Sequence, residues 1–316
     1  MSPLHIYEIL GLIFGLLFGS FLNVCISRLP RHESVVTPPS HCIECGTNIR
    51  WYDNIPLLSW LFLRARCRAC QRSIPWRYPL VELCTAVWFY GTGLRIYYAH
   101  ANYLLNLDAP HSWSGFFSYL CIDLGLAILG FLLIGLIVMD WQTHFLPDAF
   151  TLTGIAIGLF LVGVQTLFIG PHEGDVVLNT THQLRLSSPG SLGTHGNIFL
   201  TGTEALILGR IAAVIGAAAL LLLIRWSYKA LRHREGLGLG DVKLIAMIAA
   251  FLGFWPAILS LFIGVLTATT YALLLLARGR ANRLTKLPLG SFISAGGLVA
   301  ALFGERLINM YAAMFH

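Results

Sequence analysis

Only 15 of the 316 residues are acidic, and three of them sit where an apolar run meets a polar segment: Asp140 and Asp148 in "MDWQTHFLPD" (139–148) and Asp241 in "GLGLGDVKL" (236–244). An ionisable group at the margin of a membrane helix is costly, so its default reading is functional. Asp140 closes its apolar run, where a negative charge opposes the helix dipole and gains no local stability. A catalytic role accounts for that placement. Asp148 follows Pro147 and opens the next run, so two readings stand: a cap for the orphan N–H groups of a helix start, or a contributor to a site. Asp241 can likewise cap the helix that follows it, unless it shares a site with Asp140. Two carboxylates in one site resist ionising together. The ionised member can deprotonate a water while the neutral one protonates the carbonyl oxygen of a scissile amide, the order of roles being a property of the pair. That is aspartyl-protease chemistry.

The glycines before Asp241 do not make a nucleotide loop. A P-loop needs G-x-x-x-x-G-K-[ST], whereas Lys243 lies between Val242 and Leu244, and Asp241 stands where a dinucleotide fingerprint needs its third glycine. Gly236, Gly238 and Gly240 instead permit an irregular backbone beside water or a bound peptide. Gly238, Gly240 and Lys243 therefore join Asp148 as candidate accessory residues. Neither G-x-S-x-G nor H-E-x-x-H occurs, and histidines such as His144 and His233 are dispersed, against serine- and zinc-protease centres. His144 reads as a solvated loop residue or as an electrostatic tuner of the acid four residues before it.

A second constellation is "HCIECG" and "RCRACQ", which place Cys42, Cys45, Cys67 and Cys70 in two C-x-x-C pairs. Thiolates on two tight knuckles can converge on one tetrahedral Zn²⁺, and all four ligands being protein makes the metal structural. Arg66, Arg68 and Arg72 lie close enough in sequence to offset the charge of such a centre. Cys25, Cys84 and Cys121 have no paired partner and read as small buried hydrophobes.

The elements that must hold these groups are membrane helices. The chain is 56% hydrophobic and 11% charged, with recurrent apolar stretches of roughly 20 residues. This predicts an all-α polytopic bundle of about eight spans, at 6–26, 79–99, 117–139, 149–169, 205–226, 242–254, 256–277 and 290–312. The N-terminal run has no basic residue before it and reads as a retained span, not a cleaved signal. Of the 21 Lys and Arg, 17 fall in 27–78, 225–243 and 278–289, all on one side if the spans number eight. The positive-inside rule makes that side the cytoplasm and explains the net charge of +6 without nucleic acid. The organisation expected is a first span (1–26), a small cytoplasmic four-cysteine zinc-binding loop domain (27–78) and a multi-span domain (79–316) with a polar external loop at 170–204. No internal repeat is evident at this level.

Taken in order, "GSFLNVCISRLP" (19–30), the cysteine quartet, "PWRYPLVEL" (75–83), "MDWQTHFLPD" and "GLGLGDVKL" resemble the bacterial type IV prepilin peptidases, G-x-G-D aspartyl proteases of pilus and type II secretion systems. The resemblance implies Asp140 and Asp241 as the catalytic pair. It implies cleavage after the glycine of prepilin or pseudopilin leaders at the cytoplasmic face of a bacterial inner membrane. It also implies methylation of the new N-terminus from S-adenosylmethionine, with a peptidase lacking that second activity as the alternative and a zinc-stabilised ion transporter as a remote one. "GSFLNVCISRLP" also has a structural reading: Asn23 bonded within the bundle, and Arg28 and Arg31 anchoring at the interface. Two departures stand out: the long 170–204 loop, and "LPLGSF" (287–292), where Ser291 replaces a proline of the family's P-x-G-P-F-like element.

Overall fold

The computed structural model describes residues 3–105, 113–168, 177–178, 184–185, 203–232, 238–279 and 287–314. Gly236, His233 and most of the 170–204 loop lie outside these residues. Each expected span falls on a helix. The chain divides into two compact units, 1–102 and 103–316.

The first unit is built on α1 (Pro3–Arg28) and α3 (Arg77–Leu105), joined through a loop that carries the short α2 (Leu58–Phe62). The two long helices run antiparallel and touch through glycines. A Cβ on Gly11, Gly15 or Gly19 would come within 2.7 Å, 2.6 Å and 2.7 Å of Phe89, Ala86 and Glu82 backbone atoms, and one on Gly93 within 2.8 Å of the Tyr7 carbonyl oxygen. In an apolar solvent, helix association depends on such close backbone approach, and G-x-x-x-G-x-x-x-G on α1 provides it. That four-residue period is readable in the sequence. Cys25 is buried as expected, but Cys84 lies on an exposed face of α3 and Cys121 is only partly covered. Polarity, not length, sets α3 apart from an ordinary span, since it carries Arg77, Glu82 and Arg95.

The second unit contains α4 (Trp113–Thr143), α5 (Asp148–Phe168), α6 (Thr203–Arg232), α7 (Leu239–Leu252), α8 (Phe254–Ala277) and α9 (Leu289–Ala313). Within the 170–204 loop, an antiparallel pair forms between Val177–Leu178 and Leu184–Arg185. α7 is the centre: it touches all five other helices, and Leu244 through Leu252 are buried without exception. Its 14 residues give a length of about 21 Å, short of a hydrocarbon core of about 30 Å. It is a buried helix wrapped by longer ones. Gly253, at φ 93° and ψ 179°, turns the chain directly into α8, a conformation essentially confined to glycine. Five helices among the described residues are long and apolar enough to cross a membrane, over Leu4–Arg31, Leu120–Thr143, Asp148–Leu167, Leu206–Leu231 and Phe254–Ala277, and α9 has a shorter apolar stretch, Leu289–Gly304.

The glycine contacts generate a stability test. Gly15→Val forces a side chain against the Ala86 Cα at 2.6 Å and is expected to cost about 1–3 kcal/mol or more. Gly91, with nothing within 4 Å of an added Cβ, should tolerate alanine with a gain of up to about 1 kcal/mol. Thermal denaturation in detergent reads both, and equal melting temperatures would contradict the packing.

Candidate functional site

One end of the second unit gathers the end of α4 and the starts of α5, α7 and α9. α4 stops because His144, exposed and at φ 51°, breaks the helix while its N–H still bonds the Asp140 carbonyl. Leu146 then stands before Pro147, a position biased away from helix, and α5 restarts at Asp148. Leu146 is buried between two glycines: a Cβ on Gly240 would lie 3.2 Å from it, and one on Gly290 2.9 Å. A bulkier residue at either glycine would wedge α7 or α9 away from the turn after Asp140.

Asp140 is 5% exposed. Its Oδ2 accepts the Ser291 backbone N–H at 2.6 Å and the Ser291 hydroxyl at 3.0 Å, while the same hydroxyl lies 2.9 Å from the Ile137 carbonyl oxygen. The carboxylate that its own helix end disfavours is thus held by the positive end of another helix, α9. Gly290 makes the approach possible, since a Cβ there would meet Asp140 Cγ at 3.1 Å. Ser291 and Gly290 were not identifiable as site residues from sequence: only the proline-to-serine change marked the place. A proline at 291 would have no N–H to give.

Asp241, in the first turn of α7, accepts the Gly238 N–H at 3.3 Å, the backward half of a capping box. It also lies within the electrostatic reach of Asp140. The capping reading therefore holds, and the cap does not keep the charge of Asp140 out of reach. Asp148 accepts a hydrogen bond from Lys243 Nζ at 2.6 Å, which ties the start of α5 to α7. Next to the acids, Trp141, Tyr271 and Phe292 pack ring against ring with centroids 5.5–6.1 Å apart, bracing the same ends of α4, α8 and α9.

In the first unit, the four cysteine Sγ atoms lie within 4.8 Å of one another, and Cys42 and Cys70 are 3.9 Å apart. Tetrahedral coordination at Zn–S distances near 2.3 Å needs about 3.8 Å between sulfurs, so this cluster can hold a metal ion. The two knuckles are copies. Cys42 N–H bonds the Thr47 oxygen and Gly46 N–H the Cys42 oxygen; 25 residues on, Cys67 bonds Arg72 and Gln71 bonds Cys67 in the same way. Ile49 to Ser40 and Ile74 to Ala65 repeat the pattern. Contrary to the reading that found no repeat, C-x-x-C-x-x-x-I-x-W occurs twice, ending at Trp51 and Trp76. Two of the three arginines expected to balance a metal centre have carboxylate partners: Arg68 grips Asp53 at 2.6 and 2.8 Å, and Arg72 reaches Glu44 at 3.6 Å. The Arg68 hydrogen bonds hold the Asp53 carboxyl below its ordinary range. Glu82, buried in α3, accepts the Leu57 N–H at 2.8 Å and fastens the loop to the helix. Asn23 donates to the Tyr78 oxygen, and Arg28 to the Ser34 and Pro39 oxygens. These bonds fit the structural reading of that segment.

Residues 13–96 match the Bacterial Peptidase A24 N-terminal domain, and residues 192–273 match the Type IV leader peptidase family. The second stretch contains Asp241, and Asp140 lies between the two. Among curated relatives, the prepilin leader peptidase/N-methyltransferase of Myxococcus xanthus (strain DK1622) is 32% identical over 283 residues, 89% of this chain and 67% of that protein. That of Burkholderia pseudomallei (strain 1026b) is 30% identical over 93% of this chain and 84% of its own length. That of Pseudomonas putida is 27% identical, covering 97% and 94%. No solved structure matches the chain. With an acid pair at the helix ends, a four-cysteine loop and relatives aligned along nearly the whole sequence, the chain belongs to the type IV leader peptidase family.

Proposed function

We propose that the protein is a membrane-embedded aspartyl endopeptidase that removes the leaders of type IV prepilins, type II secretion pseudopilins or both, and then methylates the new N-terminal amine. What supports the peptidase reading is that Asp140, at the end of α4, and Asp241, at the start of α7, are close enough to act on one another electrostatically, each beside a different helix terminus. In this reading, one carboxylate takes a proton from the attacking water and the other gives one to the amide oxygen. The tetrahedral intermediate then collapses as the first carboxyl passes the water's proton to the leaving nitrogen, which departs as the amine, and the other carboxylate recovers a proton from the intermediate's hydroxyl. Asp148 and Lys243 act on neither atom: their ion pair keeps α5 and α7 in register around the acids. Gly238 and Gly240 serve by leaving room, Gly240 for Leu146 and Gly238 for the turn that aims its N–H at Asp241.

The basic residues of 27–78, 225–243 and 278–289 support an active site facing the cytoplasm of a bacterial inner membrane, where leaders are made. The loop 27–78 acts as a cytoplasmic zinc domain, with Cys42, Cys45, Cys67 and Cys70 as ligands, and 79–316 as the multi-span peptidase domain. Zinc suits a closed set of four thiolates and supplies structural cross-linking there, with no coordination position for substrate. S-adenosylmethionine enters as co-substrate: its methyl group passes from the sulfonium to the free amine, leaving the neutral thioether and a proton. The names of the relatives support this second step.

Co-expression with a tagged prepilin tests the peptidase. Asp140→Asn and Asp241→Asn should each lower leader removal on the order of 10³-fold or more, while the protein still inserts and melts normally. Normal processing by either variant would end the proposal. The intact mass of the product reads methylation separately: a cleaved product without one added methyl group leaves a peptidase alone.

Metal analysis of the purified protein should find about one Zn²⁺ per chain. Cys67→Ser should abolish it and make the 27–78 loop sensitive to protease. A protein that is metal-free, intact in that loop and active would contradict a structural zinc. Asp148→Asn should cost no more than about 1 kcal/mol of stability, since its partner pair is solvent-exposed, and should leave some cleavage. Loss as complete as in Asp140→Asn would move Asp148 into the catalytic group.

A further inference from the structure

We infer that Ser291 is a positioning residue of the peptidase, clamping Oδ2 of Asp140 so that Oδ1 is the oxygen that gives and takes the proton. The inference rests on the reading of Asp140 as a catalytic acid. The hydrogen bonds described for the Asp140 carboxyl all fall on one oxygen: the Ser291 N–H at 2.6 Å, which reaches the Pro288 oxygen only at 3.2 Å, and the Ser291 hydroxyl at 3.0 Å both point at Oδ2. A backbone N–H cannot rotate and is only a donor. It therefore faces Oδ2 whatever the charge on the acid, and a proton placed on that oxygen would confront the donor. A proton on Oδ1 leaves Oδ2 as a carbonyl oxygen, still a good acceptor for both groups. The clamp therefore fits the ionised and the neutral carboxyl alike, and only the oxygen turned away from α9 changes state. Serine gains and loses no proton in the cycle.

Three neighbours keep this geometry narrow. Ser291 is 4% exposed, and the single proton of its hydroxyl is shared between Asp140 Oδ2 and the Ile137 carbonyl oxygen at 2.9 Å, one turn before Asp140 on α4. The serine is thus fixed to the same helix that carries the acid. Gly290 lets the α9 backbone close to within a Cβ's distance of the carboxyl, and Leu146 fills the space behind it. Without the clamp the carboxyl can turn about its Cβ–Cγ bond and present either oxygen, and reactions that depend on orientation lose rate more than affinity. A proline at this position, as in the family's corresponding element, has neither donor. The clamp is then a feature of this chain, and its loss should be partial.

The test is the kinetics of leader cleavage by the full protein in detergent, measured as kcat, KM and the pH profile of kcat for Ser291→Ala, Ser291→Thr and Ser291→Pro, beside Asp140→Asn. Alanine removes only the hydroxyl; kcat should fall roughly 10-fold, the scale of one hydrogen bond to a charged group, with KM within about twofold and a limb of the pH profile displaced. Proline withdraws the N–H as well and should lower kcat further, whereas threonine, which keeps both donors, should restore the wild-type profile. Melting temperature and membrane insertion report whether each variant is folded. If Asp140→Asn is inactive while folded alanine and proline variants keep the wild-type kcat and superimposable pH profiles, the clamp is refuted and the peptidase reading stands. If Asp140→Asn itself cleaves normally, the underlying reading fails and the role given to Ser291 fails with it.

Discussion

A carboxylate at the C-terminal end of a helix faces carbonyl oxygens that repel it, and one that is also buried must find donors elsewhere in the fold. Asp140 is in this position, and its donors come from the first turn of α9, about 150 residues further along the chain. Much of the second unit follows from the need to bring that turn to that acid. α8 and α9 must lie close enough for α9 to begin beside α4. They do so by small-residue contact: a Cβ on Gly264 would come 2.7 Å from Ile293 Cα, and one on Gly296 would run into the Ser260 oxygen. The turn 144–147 must fold back without filling the site, which the buried Leu146 does by lodging between glycines.

The second acid meets the opposite circumstance. Asp241 sits at a helix start, where its charge is welcome, and its placement depends on α7 being enclosed. Almost nothing on α7 is polar past Lys243, so the helix has no face to offer water and is held by the five around it. Its first turn is the exception, and there the acid, the glycines and the lysine bound to Asp148 come together. The two acids are thus placed by different physics: one is carried by a long helix and held from outside by α9, the other heads a short helix that cannot stand alone.

The sequence made some of this legible and hid the rest for identifiable reasons. Helices were readable because membrane spans need long apolar runs, and the cysteine quartet because metal ligands recur at fixed local spacing. Asp140 and Asp241 stood out as charges where charge is expensive. Ser291 and Gly290 stood out only as a proline-to-serine departure at a helix start, because their hydrogen bonds and close contact to Asp140 involve a residue far away in the chain. Lys243 was noted without its partner for the same reason: nothing local in "GDVKL" points to Asp148. Cys84 went the other way, since burial of a cysteine on a helix depends on which face its neighbours cover. Two further signals are local and readable, the glycine period of α1 and the repeated C-x-x-C-x-x-x-I-x-W.

The duplicated knuckle has a consequence for how the loop folds. Each copy closes its own turn with the same hydrogen bonds, so each can form locally, but it offers only two thiolates and cannot satisfy a tetrahedral ion. An ion held by all four thiolates would therefore join two preformed halves across the 21 residues that lie between Cys45 and Cys67, as a ring-closing link. Closing a ring of that size before folding removes chain entropy worth on the order of 3 kcal/mol, in a segment too small to build a core of its own. Symmetry of the halves makes the link all-or-none, because either knuckle alone is a weak chelator and the second adds its two ligands at an effective concentration set by the connecting chain. With such an ion the ring would be closed and without it open, with little in between.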